Sequence, residues 1–272
     1  MRNIVKKTTL VSSLVLALSA NSMYAQSFEW ISSTEGNTWQ KSKAKLQTNA
    51  AQTPILDVNG SEEGTVFKAW GTCFNELGWD ALNMLPRKEQ ETILHKLFSP
   101  EGELRFTMGR FSMNANDYAR DWYSCDEVPG DFQLKYFNIN RDKTTLIPFI
   151  KAAQQYNPNM TFWMSPWSPP SWMKINHYYS VRSDRNQNQM SPLSDVALFE
   201  GSKEKNTKVF PQQLAVNDYF IQDPRYLQTY ANYFCKFIDA YKQQGIAISM
   251  VMFQNESWSY TNYPGCAWTA EG

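Results

Sequence analysis

The hydrophobic pattern changes character at Phe67. Before it, the short alternating stretches Phe28-Glu29-Trp30-Ile31 and Pro54-Ile55-Leu56-Asp57-Val58 are interrupted by Glu35-Gly36-Asn37 and Asn59-Gly60-Ser61, which predicts a few short antiparallel strands. After it, strand-length apolar runs alternate with helical periods, the signature of a parallel sheet built from βα units. Strands are predicted at 67–74, 104–113, 160–164 and 246–253. The last, Ile246-Ala247-Ile248-Ser249-Met250-Val251-Met252-Phe253, is apolar without alternation and reads as buried on both faces. One helix opens at Asp223-Pro224, an N-cap followed by a first-turn proline; Tyr226, Tyr230, Tyr233, Phe234, Phe237, Ile238 and Tyr241 recur until Gly245 stops it. Two others are expected over 86–98 and 144–156. Between Trp172 and Asp223 runs a long polar insertion of the kind that forms binding loops or stays disordered.

The first 25 residues are read apart from the fold. Arg2, Lys6 and Lys7 precede the apolar run Leu10 to Leu18, and Ser22-Met23-Tyr24-Ala25 offers small residues for cleavage, so the segment resembles a secretory signal peptide. Export to the periplasm or the extracellular space is therefore expected. That run is too short to span a bilayer and no longer one follows, so stable membrane insertion is not expected. Cleavage would remove three of the 26 basic residues and leave 23 against 26 acidic ones. A mildly acidic surface with no basic cluster argues against a nucleic-acid partner. The four cysteines are far apart with no C-x-x-C spacing, and read as small buried hydrophobes or at most one disulfide.

From Phe67 onward 206 residues hold four strand signals, whereas a complete eight-stranded barrel takes about 250 residues. The expected fold class is α/β: a (β/α)8 TIM barrel truncated after its fourth strand, with the N-terminal strands belonging to a small β side domain. The domains read as a signal peptide over 1–25, N-terminal strands over 26–66, and the first half of the catalytic barrel over 67–272.

Chemistry is sought at strand ends. No G-x-S-x-G elbow, Walker loop, G-x-G-x-x-G turn or H-E-x-x-H helix is present, and the only histidines are His95 and His177, so neither a metal nor a cofactor is expected. What remains is carboxylates and aromatics. Gln254-Asn255-Glu256 closes the fourth strand, where a glutamate half-buried among Trp258, Tyr260 and Tyr263 would hold a proton near neutrality and could protonate a leaving oxygen. A second Asn-Glu pair, Asn75-Glu76, competes for that role. Asp117 lies just past the second strand. Trp167, in Ser165-Pro166-Trp167-Ser168-Pro169-Pro170-Ser171-Trp172, follows the third, and His177 could reach a ligand from the same side. Ten tryptophans suit an uncharged sugar ligand, and suit a large core almost as well.

The succession Trp70-Gly71-Thr72-Cys73-Phe74-Asn75-Glu76, Arg110 to Asp117, Ser165 to Lys174 and Gln254-Asn255-Glu256 resembles glycoside hydrolase family 30, which includes glucosylceramidases and endo-β-1,6-glucanases. The resemblance covers roughly residues 55 to 272. It implies a retaining β-glycosidase acting on a β-linked glucoside or glucan, with Glu256 as acid/base and Asn255 on the sugar 2-hydroxyl. Asp117 and Trp167 would hold the non-reducing-end sugar, and Trp172, His177 and Trp258 would line the site. In the family the nucleophile is a glutamate ending the seventh strand, which places it outside these 272 residues. The alternative expectation is an inactive carbohydrate-binding remnant. The stretch Asn114-Ala115-Asn116 departs from the smaller residues that many members carry there.

Overall fold

The computed structural model describes residues 27–45, 64–196 and 217–272. The signal-peptide segment, the strand expected at Pro54–Val58 and part of the polar insertion lie outside the described residues. The chain divides into two compact units, Met1–Val66 and Phe67–Gly272.

In the first unit β1 (Ser27–Thr34) and β2 (Asn37–Lys45) form an antiparallel hairpin. Gly36 turns it at φ +81°, a conformation glycine adopts without a Cβ penalty.

The second unit is a four-stranded parallel sheet in the order β3 (Gly71–Phe74), β4 (Met108–Met113), β5 (Thr161–Pro166) and β6 (Ile248–Val251). Among the described residues, four helices connect and cover it: α1 (Glu76–Asn83), α2 (Arg87–Phe98), α3 (Leu146–Tyr156) and α4 (Pro224–Gln243). Sequential neighbours joined by helices are the βα repeat that the pattern after Phe67 predicts. Three strands are shorter than expected, beginning two to four residues later at Gly71, Met108 and Ile248, while β5 runs two residues further than expected, to Pro166. α1 was not expected at all. Asn75 Oδ1 caps it by accepting from Gly78 N at 2.7 Å.

Register sorts the side chains onto two faces. Phe74, Phe111 and Met164 are aligned across β3, β4 and β5, and all three are buried toward the helices. There Phe74 meets Phe149 edge-on at 4.8 Å and Phe111 stacks on Tyr241 at 4.8 Å. The buried stripe of α4, Tyr230, Tyr233, Phe237 and Tyr241, supplies the rest of that interface, so these tyrosines are core, as their spacing implies. Gly109 in β4 permits the close packing: a Cβ there would lie 2.5 Å from the Phe74 ring and 2.8 Å from that of Phe162. The neighbouring row, Cys73, Arg110 and Trp163, occupies the opposite face and is polar and aromatic.

β6 differs from expectation. It pairs with β5 alone among the described strands, and Met250, Val251, Met252 and Phe253 are exposed. An apolar run reports what a strand is suited to, whereas burial depends on having neighbours on both sides.

Candidate active site

Arg110 organises the site. It leaves β4 on the polar face and its Nη2 donates to Ser165 Oγ of β5 at 2.8 Å and to Asn255 Oδ1 beyond β6 at 2.7 Å. Its guanidinium lies over two indoles, 4.8 Å from the Trp163 centroid and 4.4 Å from that of Trp167. One side chain thus ties three strand ends together, with both cation–π contacts on β5 and the residue that follows it. Burial lowers its pKa, against the pull of Cys73, Asp117 and Glu256, whose charges all act on it.

Each strand end is fixed by local chemistry. After β4, Asn114 adopts φ +71°, a left-handed conformation that asparagine tolerates better than most residues. Its amide Nδ2 donates to Ser168 O at 3.0 Å, while its Oδ1 accepts from Cys125 N and from the Tyr233 hydroxyl. Asn114 is therefore a tether between two loops. Asp117 follows at an exposed position. Burial of its carboxyl group and then the like charge of Glu256 raise its pKa, against a backbone hydrogen bond and Arg110.

After β5, Trp167 is buried, with its carbonyl accepting from Gln254 Nε2 at 2.7 Å. Arg110 covers one ring face. Trp167 Nε1 and Arg110 Nε are buried donors without a protein acceptor among the described residues, the kind of group that a ligand hydroxyl satisfies.

After β6, Asn255 N donates to Pro166 O at 2.8 Å, and the next residue, Glu256, turns at φ +49°. Glu256 is exposed, not half-buried as the aromatic neighbours suggested. Among the described residues it stands toward solvent, and of the three aromatics named, Tyr263 touches it, its hydroxyl donating to Glu256 Oε2 at 2.7 Å. Burial, and then Glu256, push the Tyr263 phenol above its ordinary range.

The structure thus brings Asp117, Trp167, Asn255 and Glu256 to one rim around Arg110. It does not bring Trp172 there. That ring is buried between Phe132 at 5.5 Å and Tyr226 at 5.7 Å, with Nε1 donating to Asp126 O, so it is core packing. After Pro169-Pro170 the chain turns through a short 3-10 helix at Ser171–Met173, which carries Trp172 away from Trp167. Trp258 lines a separate cavity of about 330 Å³ with Phe253 and Trp268. His177 is exposed at φ +49°. Arg110 was not singled out from the sequence, whereas Tyr263 was named there as a neighbour of Glu256 and does contact it. The signal for Arg110 was available, as a charge inside the apolar strand Met108–Met113 needs a reason.

The competing pair is of another kind. Glu76 is 2% exposed, and its carboxylate accepts from Arg141 Nε and Nη2 at 2.8 and 2.7 Å and from Arg120 N at 2.8 Å. Burial alone would raise its pKa, but these hydrogen bonds outweigh it and hold the group below the usual range. Glu76 is a buried ion-pair carboxylate. Among the described residues no three His, Cys, Asp or Glu side chains gather as a metal site.

Residues 67–188 match the family model described as the glycosyl hydrolase family 30 TIM-barrel domain. The likeness read from the motifs is to this family. Relatives include four Caenorhabditis elegans proteins bearing glucosylceramidase names, 25% to 29% identical. The Aspergillus fumigatus endo-1,6-β-D-glucanase neg1 is 26% identical over 78% of this chain, and the Mus musculus lysosomal acid glucosylceramidase 25% identical over 86%. The chain spans about a third to two fifths of the length of these curated relatives. Two solved structures share the fold. SrfJ from Salmonella typhimurium superposes with TM-score 0.64 at 19% identity, covering 90% of this chain and 47% of that one. The endo-β1,6-glucanase BT3312 does so with 0.58 at 22%, covering 85% and 43%. The four-stranded parallel sheet fits part of such a barrel.

Proposed function

We propose that the protein is a retaining β-glycosidase that hydrolyses β-glucosidic bonds of a glucoside or glucan, with Glu256 as acid and then base. The observation that carries this reading is the arrangement on one rim: an accessible carboxylate at the end of β6, with Asn255 and Trp167 held beside it by Arg110. Glu256 would protonate the leaving oxygen and then deprotonate the attacking water, while Tyr263 orients its carboxyl through the hydrogen bond to Oε2. Asn255 Oδ1, already held by Arg110, leaves its amide N–H free to donate to the sugar 2-hydroxyl. Asp117 would accept from sugar hydroxyls, and Trp167 would bound the pocket through its ring edge and Nε1–H. Retention needs a second carboxylate about 5–5.5 Å from the acid as nucleophile. We assign that role to no residue of the four-strand sheet; in family 30 it belongs to a later strand. Export through residues 1–25 is part of the same proposal, as secretion would bring the enzyme to an external glucan or glucoside.

The test is Glu256→Gln in the full-length protein. Loss of proton transfer should cost roughly 10²- to 10⁴-fold on glucosides with poor leaving groups, and far less in the glycosylation of activated aryl glucosides. Equal losses on both, or full activity, would remove Glu256 from the acid/base role and direct attention back to Glu76.

A further inference from the structure

Lys174 takes no part in the proposed chemistry, yet it is fully buried and all four of its partners are neutral oxygens. Its Nζ donates to the carbonyls of Tyr179 at 2.7 Å, Ser180 at 3.2 Å and Gly265 at 2.7 Å, and to Ser168 Oγ at 3.3 Å. A methionine would fill similar volume without desolvating a charge, so stability alone does not account for an ammonium at this position. Burial pulls its pKa down to about 8, with Cys266 and Glu127 as the ionisable neighbours that act the other way.

The acceptors belong to two different loops. Ser168 follows Trp167 after β5, and Ser168 O is also held by Asn114. Gly265 lies in the segment that returns from Glu256: Gly265 N donates to Tyr179 O at 3.0 Å, and Trp268 N closes back on Ser257 O at 2.7 Å. The turn is tight, as a Cβ at Gly265 would come within 2.3 Å of Thr261 Oγ1. Ser180 and Pro264 form an isolated antiparallel bridge beside it.

We propose that Lys174 is a positioning residue: its ammonium ties the Trp167-Ser168 wall to the Gly265 turn behind Glu256, so that one buried side chain sets the spacing between sugar wall and carboxylate. Oxygens of both loops converge on one cation, and displacement of either loop strands part of that shell. The kinetic consequence rests on the glycosidase reading, whereas the coupling of the loops does not.

The experiment uses the full-length protein with Lys174→Met, which keeps the stem and removes the donors. On an alkyl β-glucoside kcat should fall roughly 10- to 100-fold, and on 2,4-dinitrophenyl β-glucoside, which needs no proton donor, less than about 5-fold. Equal losses on both substrates, in step with a lower Tm, would overturn the proposal and make Lys174 a packing residue. Ser168→Ala removes the wall-side bond, together with the local Ser168 Oγ–Pro169 O hydrogen bond, and serves if Lys174→Met does not fold; KM should rise for both substrates, and an unchanged KM would overturn it. If the wild type hydrolyses neither substrate, the glycosidase reading fails and hydrogen exchange decides the coupling in the same variants. Faster exchange in 165–172 and 256–268 together supports the tie, and faster exchange confined to 174–180 contradicts it.

Discussion

Trp167 and Trp172 stand five positions apart in one proline-rich block and do opposite things. Trp167 meets Arg110 at the rim, while Trp172 is packed between Phe132 and Tyr226. Replacing Trp167 with Ala in the full-length protein should weaken sugar binding by about 1–3 kcal/mol, more than it lowers stability. Trp172→Ala should do the reverse, with a stability loss of about 3–5 kcal/mol. Calorimetric titration with a β-glucoside and thermal unfolding of both variants separate the two roles, and matching profiles would merge them. Asp142 gives a second residue-scale expectation. It is fully buried, with both carboxyl oxygens accepting at 2.7 Å from the hydroxyls of Tyr123 and Tyr241, and burial raises its pKa to about 6. The folded state thus binds this proton more tightly than the unfolded state, so stability from this group is lost as pH rises from about 4 to about 6 and stays lost above. Asp142→Asn should be more stable than wild type at pH 7, by about 1–3 kcal/mol, and the difference should vanish near pH 4. Urea unfolding at the two pH values checks this; a difference independent of pH would mean that the charge is not responsible.

At the scale of elements, the long periodic segments were legible and the edges were not. The helix after Asp223-Pro224 was readable because cap, proline, buried tyrosines and terminating Gly245 all agree. α1 was hidden behind a motif: Asn75-Glu76 looked like a candidate catalytic pair, and is a helix cap followed by an ion-paired first-turn carboxylate. The strand at 246–253 was recognisable in type but not in burial, and the misplaced expectation for Glu256 followed from that. Sequence separation also hid Arg110, since its partners Ser165 and Asn255 become neighbours only through the parallel register. Sheet packing itself can be tested at Gly109, where Ala would press on Phe74 and Phe162. A loss of about 1–3 kcal/mol is expected from overpacking in denaturant unfolding, and a neutral result would show that these rings move freely.

At the scale of the whole molecule, the candidate site lies at the C-terminal ends of β4, β5 and β6, where ligand sites gather in parallel α/β folds. The same sheet leaves Met250 and Val251 of β6, and Met252 and Phe253 just beyond it, exposed. Residues 67–272 expressed alone should therefore self-associate through this edge, and Val251→Lys should reduce association in sedimentation velocity. A monomer with or without the substitution would count against an adhesive edge. The central claim concerns one carboxylate, and its most direct measurement is azide rescue of Glu256→Gln in the full-length protein acting on an activated aryl β-glucoside. With the acid/base removed, the covalent glucosyl-enzyme should accumulate, and azide should accelerate turnover and give β-glucosyl azide, identified by the anomeric proton in its NMR spectrum. Absence of rescue, or an α-configured azide, would contradict the assignment of Glu256 as acid/base of a retaining β-glycosidase.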